Sequence, residues 1–214
     1  MQAACPLYVG EPWGTAVLAA IQPSYYPPKP DLLNCAPNGI GMRFPTMYKN
    51  GHRGAALLLM APLTAAFGVI GIGMSVVAVA ICRLPDLDHD YGWLAHRGPT
   101  HTIWFATVVA GLVVTGGYAA LSMIPVALPA LPLALLLGAT VFLGLLSHLF
   151  ADALTVGGGS HAIRPFHPLS PHPFRLALVR ADSRLANALL LAGGVLFQGL
   201  AFAVSVGGTT GVVA

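Results

Sequence analysis

Four long apolar blocks dominate the hydrophobic pattern of this chain. They cover residues 54–82, 103–124, 126–150 and 185–206, and none of them contains Lys, Arg, Asp or Glu. Each block reaches or exceeds the roughly 18 apolar residues that indicate a bilayer span. The pattern therefore predicts membrane-spanning α-helices joined by polar connections.

The first block is too long for one straight span. Its 29 residues would measure about 44 Å as a helix, well beyond the ~30 Å hydrocarbon core. Gly68, Gly71 and Gly73 lie near its middle and weaken a helix there. We predict a partly inserted hairpin of two short helices, at about residues 53–67 and 72–83. The alternative is a single tilted span, which would put His52 on the opposite side of the membrane from Asp86.

The proline content sets the start of the chain apart. Five prolines between residues 23 and 37 interrupt every candidate helix or strand. We predict a weakly ordered, Pro-rich leader over residues 1–48 and a membrane-embedded helical domain over residues 49–214. The apolar stretch 16–21 is too short for the core of a cleaved signal peptide.

Composition and charge extend this interpretation. The chain is 56% hydrophobic and 8% charged, whereas a soluble domain is about a quarter charged. All ten Lys and Arg residues precede the first block or lie in the connections 83–101 and 152–184. If the second and third blocks are antiparallel neighbours around Pro125, both connections share one face, which the positive-inside rule makes cytoplasmic. We predict an all-α helical bundle, a short hairpin plus about three transmembrane helices, with its polar site at that face.

Potential metal ligands gather in these two connections. Asp86, Asp88 and His89 follow the first block, and the motif His-Arg-Gly-Pro-Thr-His spans residues 96–101. At the end of the third block His148 and Asp152 are four residues apart, so they share one helix face. Interfacial Arg and Asp are also ordinary anchors and caps of membrane helices. The convergence of the whole set on one face favours a site.

The residue types indicate the metal. Imidazole with carboxylate suits zinc, manganese or iron, whereas carboxylates alone would suit magnesium or calcium better. The absence of Cys from the set argues against a structural zinc knuckle. A catalytic site keeps one position for water, whose pKa zinc lowers to about 7. The ligands outnumber the needs of one tetrahedral ion, so one or two divalent ions, zinc first, are expected.

An anion receptor is predicted beside these ligands. Pro99 suits the first turn of a helix that opens near Thr100. Free backbone N–H groups there, together with Arg97, would bind phosphate or another anion. This favours a phosphoester over an amide substrate. His161, His167 and His172 lie in a Pro-rich connection and are interpreted as packed or exposed loop residues.

Four ordered motifs within residues 50–168 resemble the YdjM-like family of LexA-regulated, inner-membrane, metal-dependent hydrolases. The motifs are Gly51-His52, residues 84–89, residues 96–101, and residues 147–155 followed by Gly157. The leader has no counterpart in this pattern, and the linker 90–95 is short. The resemblance implies a multi-pass inner-membrane protein with hydrolase activity. It also implies a polar site formed by His52, Asp86, Asp88, His89, His96, His101, His148 and Asp152, with Arg97 and Thr100 in support.

The first functional hypothesis is a hydrolase that acts on a lipid headgroup, a lipid-linked phosphate or another small phosphoester. Its partners are the lipid bilayer and this substrate, and no nucleic acid is expected. A metal or proton transporter and a membrane anchor with a structural metal are the alternatives. The predicted metal ligands are His52, Asp86, Asp88, His89, His101, His148 and Asp152. The predicted catalytic residues are Arg97, His96, His101 and Thr100.

Overall fold

The computed structural model describes residues 49–89, 97–124, 129–155 and 162–210. The predicted leader, residues 1–48, lies outside the described residues. Five α-helices are present in the described part: α1 (Lys49–Phe67), α2 (Val69–Ile81), α3 (Ile103–Ser122), α4 (Ala130–Leu154) and α5 (Arg184–Thr210). Two short 3-10 turns, Leu84–His89 and Pro99–His101, lie between α2 and α3. The predicted all-α fold is confirmed.

Within the described ranges, four segments are long and apolar enough to cross a membrane. They are Val69–Asp88, Ile103–Ser122, Ala130–Leu154 and Arg184–Gly207. The last three correspond to α3, α4 and α5, which were predicted as transmembrane helices. The first is α2 extended by the 3-10 turn that follows it, because the turn continues the helix far enough to reach the length of a span.

The first apolar block forms the predicted hairpin. The chain reverses at Gly68 alone, so α2 begins three residues earlier than predicted. Gly68 has φ 55° and ψ −123°, a combination that residues with a side chain avoid. Gly71 brings the two helices together, since an added Cβ would lie 2.4 Å from the Cα of Thr64. Thr64 Oγ1 and Ser75 Oγ then share a hydrogen bond of 3.3 Å across the hairpin.

Helix α4 lies at the centre of the bundle, packed against α1, α2 and α3, and α5 packs along α1. The α1–α5 contact is close because glycines face each other there. A Cβ added at Gly54 would lie 2.4 Å from the backbone of Leu190, and one at Gly194 would lie 2.7 Å from the carbonyl oxygen of Gly54. Such small-residue contacts are typical of helix packing in membranes, where dispersion replaces the hydrophobic effect. By contrast, Gly193 and Gly199 face open space.

The helix ends divide the molecule into a polar and an apolar face. The starts of α1, α3 and α5 and the ends of α2 and α4 lie together, and every Lys, Arg and Asp of the described residues is close to them. The Gly68 turn lies at the other end, near Ser205 of α5. The connection 162–183 folds onto the polar face, where Leu178 N donates to Leu154 O (2.9 Å) and Ile103 N to Pro165 O (2.9 Å). We call this end of the bundle the polar face.

Candidate metal centre

Three segments of chain deliver four side chains to one cluster at the polar face. Asp86 comes from the turn after α2, and His101 from the turn before α3. His148 and Asp152 project from the last turns of α4, one helical turn apart. The His101 and His148 side chains are fully buried, whereas the Asp86 side chain is 18% exposed. Asp86 therefore marks the open side of the cluster.

The donor atoms of these four residues converge closely. His101 Nε2 and His148 Nε2 are 3.1 Å apart. Asp152 Oδ2 lies 3.4 Å from His101 Nε2 and 3.5 Å from His148 Nε2. Asp86 Oδ1 lies 3.5 Å from His148 Nε2. The other three donor atoms thus all lie within 3.5 Å of His148 Nε2.

The four measured spacings are close to those of a tetrahedral coordination shell. With metal–ligand bonds of about 2.0–2.2 Å, the ligands of a tetrahedral ion are roughly 3.3–3.6 Å apart. Three of the four measured distances fall in this range, and the fourth, between the two imidazoles, is 3.1 Å. Asp86, His101 and His148 have ligand atoms that all lie within 4.8 Å of one another. The donor set fits zinc, and imidazole with carboxylate also suits manganese or iron.

His52 extends the cluster from α1. Its ring stacks on His148 with centroids 4.2 Å apart and planes inclined by 9°, and His52, His148 and Asp152 form a second close set of ligand atoms. His52 lies in the first turn of α1, before the apolar block. Burial, together with the neighbouring His148, lowers the pKa of His52 from 6.5 to about 3. The ring is therefore neutral and can offer a lone pair.

Asp88 contacts the cluster indirectly. Its Oδ2 lies 3.4 Å from His101 Nδ1, on the opposite side of the imidazole from the other ligands. The same oxygen accepts hydrogen bonds from Arg97 N (3.0 Å) and Thr100 Oγ1 (3.2 Å). A carboxylate at Nδ1 fixes the tautomer that presents Nε2 to a metal, a common arrangement around ligating histidines. In this arrangement Asp88 reaches the cluster through His101, and its predicted role as a ligand stays a prediction.

Arg97 is buried within the cluster, and its predicted role in binding an anion stays a prediction. Its Nη2 donates to Asp152 Oδ1 at 3.1 Å, and its side chain is 7% exposed. Its backbone has φ 58°, a costly conformation for a residue other than glycine, and Asp88 holds its N–H. Arg97 therefore joins the two carboxylates and fixes the orientation of Asp152.

Backbone N–H groups at the start of α3 have hydrogen-bond partners within the protein. Helix α3 begins at Ile103 rather than near Thr100, because Pro99–His101 forms a separate turn. The N–H of Ile103 donates to Pro165 O, and the N–H of Phe105 donates to the capping Thr102 Oγ1. The connection 162–183 thus folds back onto the start of α3 and accepts a hydrogen bond from one of its first N–H groups.

Arg83 also contacts the cluster, a position that was not predicted for it. Its Nε lies 3.7 Å from Asp86 Oδ2, and its side chain is 36% exposed. It follows the apolar block directly, which is typical of an interfacial anchor. Its position three residues before Asp86 was the available signal, because that spacing brings the two side chains together in a helical turn.

The remaining histidines divide into two groups. His167 and His172 are exposed in the connection 162–183, as predicted. His96, His161 and the side chain of His89 lie outside the described part of the chain, so their predicted roles stay predictions.

This fold and cluster define a class: multi-pass helical membrane proteins with a buried His/Asp centre at one membrane face. The family model described as YdjM inner membrane protein matches residues 47–212. The chain therefore belongs to this family, as the resemblance of its motifs predicted. No match was found among curated proteins or among solved structures. The family and the four candidate spans place the protein in the inner membrane, with lipid around its helices.

Proposed function

We propose that this protein is a metal-dependent hydrolase that acts on a phosphoester at the cytoplasmic side of the inner membrane. The observation that carries the proposal is the spacing of His101 Nε2, His148 Nε2, Asp152 Oδ2 and Asp86 Oδ1, 3.1–3.5 Å apart where measured. Four lone-pair donors at this spacing would repel one another unless a proton or a cation lies between them.

The residues have distinct roles in this scheme. His101, His148, Asp152 and Asp86 hold the ion, and stacked His52 is available for a second ion. Zinc, or manganese or iron in its place, would supply an activated water and stabilise developing charge on the substrate. Asp88 and Thr100 fix the tautomer of His101, and Arg97 fixes Asp152. Because Asp86 is the most exposed ligand, the substrate enters on its side.

His101 is poorly suited to act as the general base. Asp88 faces its Nδ1 and the cluster faces its Nε2, so this ring has no nitrogen left for proton transfer. His96, five residues before His101 in the same motif, stays the candidate base. On the open side the nearest described cation is Arg83, which is suited to stabilise negative charge on a phosphoryl oxygen.

Transport is the less favoured function. A transport path needs polar groups near the bilayer midplane. Between Ile103 and Ser147 the only ionisable side chain is that of Tyr118. Inside the hairpin, Ser75 and Thr64 are satisfied by hydrogen bonds with each other and with Gln198. The ionisable groups lie at helix ends, which favours chemistry at the membrane surface.

Metal content is the first test. Elemental analysis of detergent-purified protein should give stoichiometric metal in the wild type and in Asp182→Ala, whose aspartate lies outside the cluster. His148→Ala and Asp86→Ala should both lose it, since they remove ligands from different segments of one shell. Hydrolysis of aryl phosphates with the same preparations should follow metal content. Metal-free wild type after reconstitution with each candidate ion would refute the proposal.

The orientation of the site can be tested by labelling single cysteines with a membrane-impermeant maleimide, in a background that lacks Cys5, Cys35 and Cys82. Leu169, 77% exposed at the polar face, and Met123, 85% exposed at the other end, are suitable positions. Leu169→Cys should react only after the inner membrane is opened, and Met123→Cys should react in intact spheroplasts. The opposite result would place the site outside the cytoplasm.

A further inference from the structure

An apolar groove runs along the outside of the hairpin, between α1, α2 and α5. It has a volume of about 410 Å³, within the ~300–1,000 Å³ range of small-molecule sites. Its walls are formed by Leu57, Ile72, Val76, Val79, Leu191 and Phe202. Gly199 leaves one wall open, since a Cβ added there would meet nothing within 4 Å.

Among the described residues that line the groove one is charged, and it lies at the polar face. Arg53 is exposed in the second turn of α1, next to His52 of the cluster. Arg83 follows the end of α2, the helix that packs beside α1. Arg83 in turn contacts Asp86 (3.7 Å). Two cations, Arg53 in the groove lining and Arg83 beside Asp86, are therefore present at the polar end of the hairpin.

A second apolar hollow provides a comparison within the same molecule. It lies between α4 and the connection 162–183 and is lined by residues such as Leu149, Phe150, Phe166 and Phe174. None of the residues that the structure describes in its lining is charged. This hollow can hold hydrocarbon but offers nothing to an anionic headgroup, whereas the hairpin groove combines both features.

We infer that the hairpin groove binds an acyl chain of an anionic phospholipid whose phosphate is held by Arg53 and Arg83 beside Asp86. The inference rests on the proposed function, because it supplies the substrate class of that site. A guanidinium group matches a phosphate in charge and hydrogen-bond geometry, and the apolar walls match the chain. The bound lipid would present its phosphoester to the exposed ligand of the centre.

The test is photolabelling of the full-length protein in nanodiscs. The probes are phosphatidic acid and diacylglycerol that carry the same photoactivatable acyl chain, with labelled peptides mapped by mass spectrometry. Phosphatidic acid should label the groove segments about tenfold more than diacylglycerol, a ratio that corresponds to about 1.4 kcal/mol. The double variant Arg53→Gln/Arg83→Gln should reduce this ratio to about one. Arg180→Gln, which removes an exposed arginine paired with Asp182, should leave the ratio unchanged.

Filling the groove gives a second measurement. Gly199→Phe should place a ring in the groove and lower labelling there about tenfold, and Val76→Trp should do so from α2. Gly193→Phe is the matched control, because Gly193 lies on the same helix, also faces open space and does not line the groove. Equal labelling by both probes in the wild type, or undiminished labelling in both filled variants, would overturn the inference. Hydrolysis of a water-soluble aryl phosphate by wild type reports separately on the proposed function.

Discussion

Replacing Asp88 with asparagine separates a residue that orients a metal ligand from one that binds the metal. Asp88 Oδ2 lies at His101 Nδ1 (3.4 Å) and accepts from Arg97 N (3.0 Å) and Thr100 Oγ1 (3.2 Å). Asparagine keeps the shape and one acceptor oxygen but removes the negative charge that polarises the imidazole. His101 and its three partner ligands stay in place.

The expected loss follows from this indirect contact. Removing the outer partner of a ligating histidine typically lowers metal affinity 10–100-fold, which corresponds to about 1.4–2.7 kcal/mol. His148→Ala should have a much larger effect, because it removes a nitrogen that lies within 3.5 Å of two carboxylates and an imidazole. We therefore expect Asp88→Asn to bind metal stoichiometrically but more weakly.

The assay is competition with a chromophoric chelator at neutral pH, on detergent-purified wild type, Asp88→Asn and His148→Ala. Asp182→Asn is the control, since it neutralises an aspartate that pairs only with the exposed Arg180 among the described residues. Unchanged affinity in Asp88→Asn would refute the orienting role. Loss of metal as complete as in His148→Ala would show that Asp88 is itself a ligand.

Three further predictions concern the bundle, each checked by thermal unfolding in detergent. Gly194→Val should destabilise by about 1–3 kcal/mol, because its Cβ would lie 2.7 Å from Gly54 O, whereas Gly193→Val should be nearly neutral. Gln198→Leu should lower the free energy of unfolding by about 1 kcal/mol, because the amide of Gln198 donates hydrogen bonds to Leu57 O and Ser75 Oγ, both at 2.9 Å. An unchanged melting temperature would count against these hydrogen bonds. Gly68→Ala should lower the free energy of unfolding by about 1–2 kcal/mol, because residues with a side chain avoid the φ of 55° found at this position. A more stable variant would contradict the hairpin geometry.

The helical elements were predictable from local signals. Uninterrupted apolar blocks define α3, α4 and α5, and the length of the first block together with its glycines indicated the hairpin. The position of the turn was less certain, because Gly68, Gly71 and Gly73 all weaken a helix. Only the structure shows that Gly68 makes the turn and Gly71 makes the close contact with Thr64.

The grouping of site residues was predictable, but their individual contacts were not. Charge distribution and helix direction brought Asp86, His101 and His148 to one face. The sequence contains no signal that tells which nitrogen of His101 faces Asp88, because this depends on the path of the chain between α2 and α3. The same holds for Arg97, whose pairing with Asp152 joins residues 55 positions apart.

The uncharged turns at the apolar face have a consequence for biogenesis. The α1–α2 turn at Gly68 and the α3–α4 connection 123–129 contain no Lys, Arg, Asp or Glu. A charged side chain at the centre of an inserting helix costs about 2.5–3.5 kcal/mol on the translocon scale. Each pair of helices can therefore enter the bilayer as a loop, with no charge carried through the hydrocarbon. The cluster residues that follow α2, precede α3 and end α4 would then meet only after both pairs have inserted, so the cluster forms only in a correctly assembled bundle.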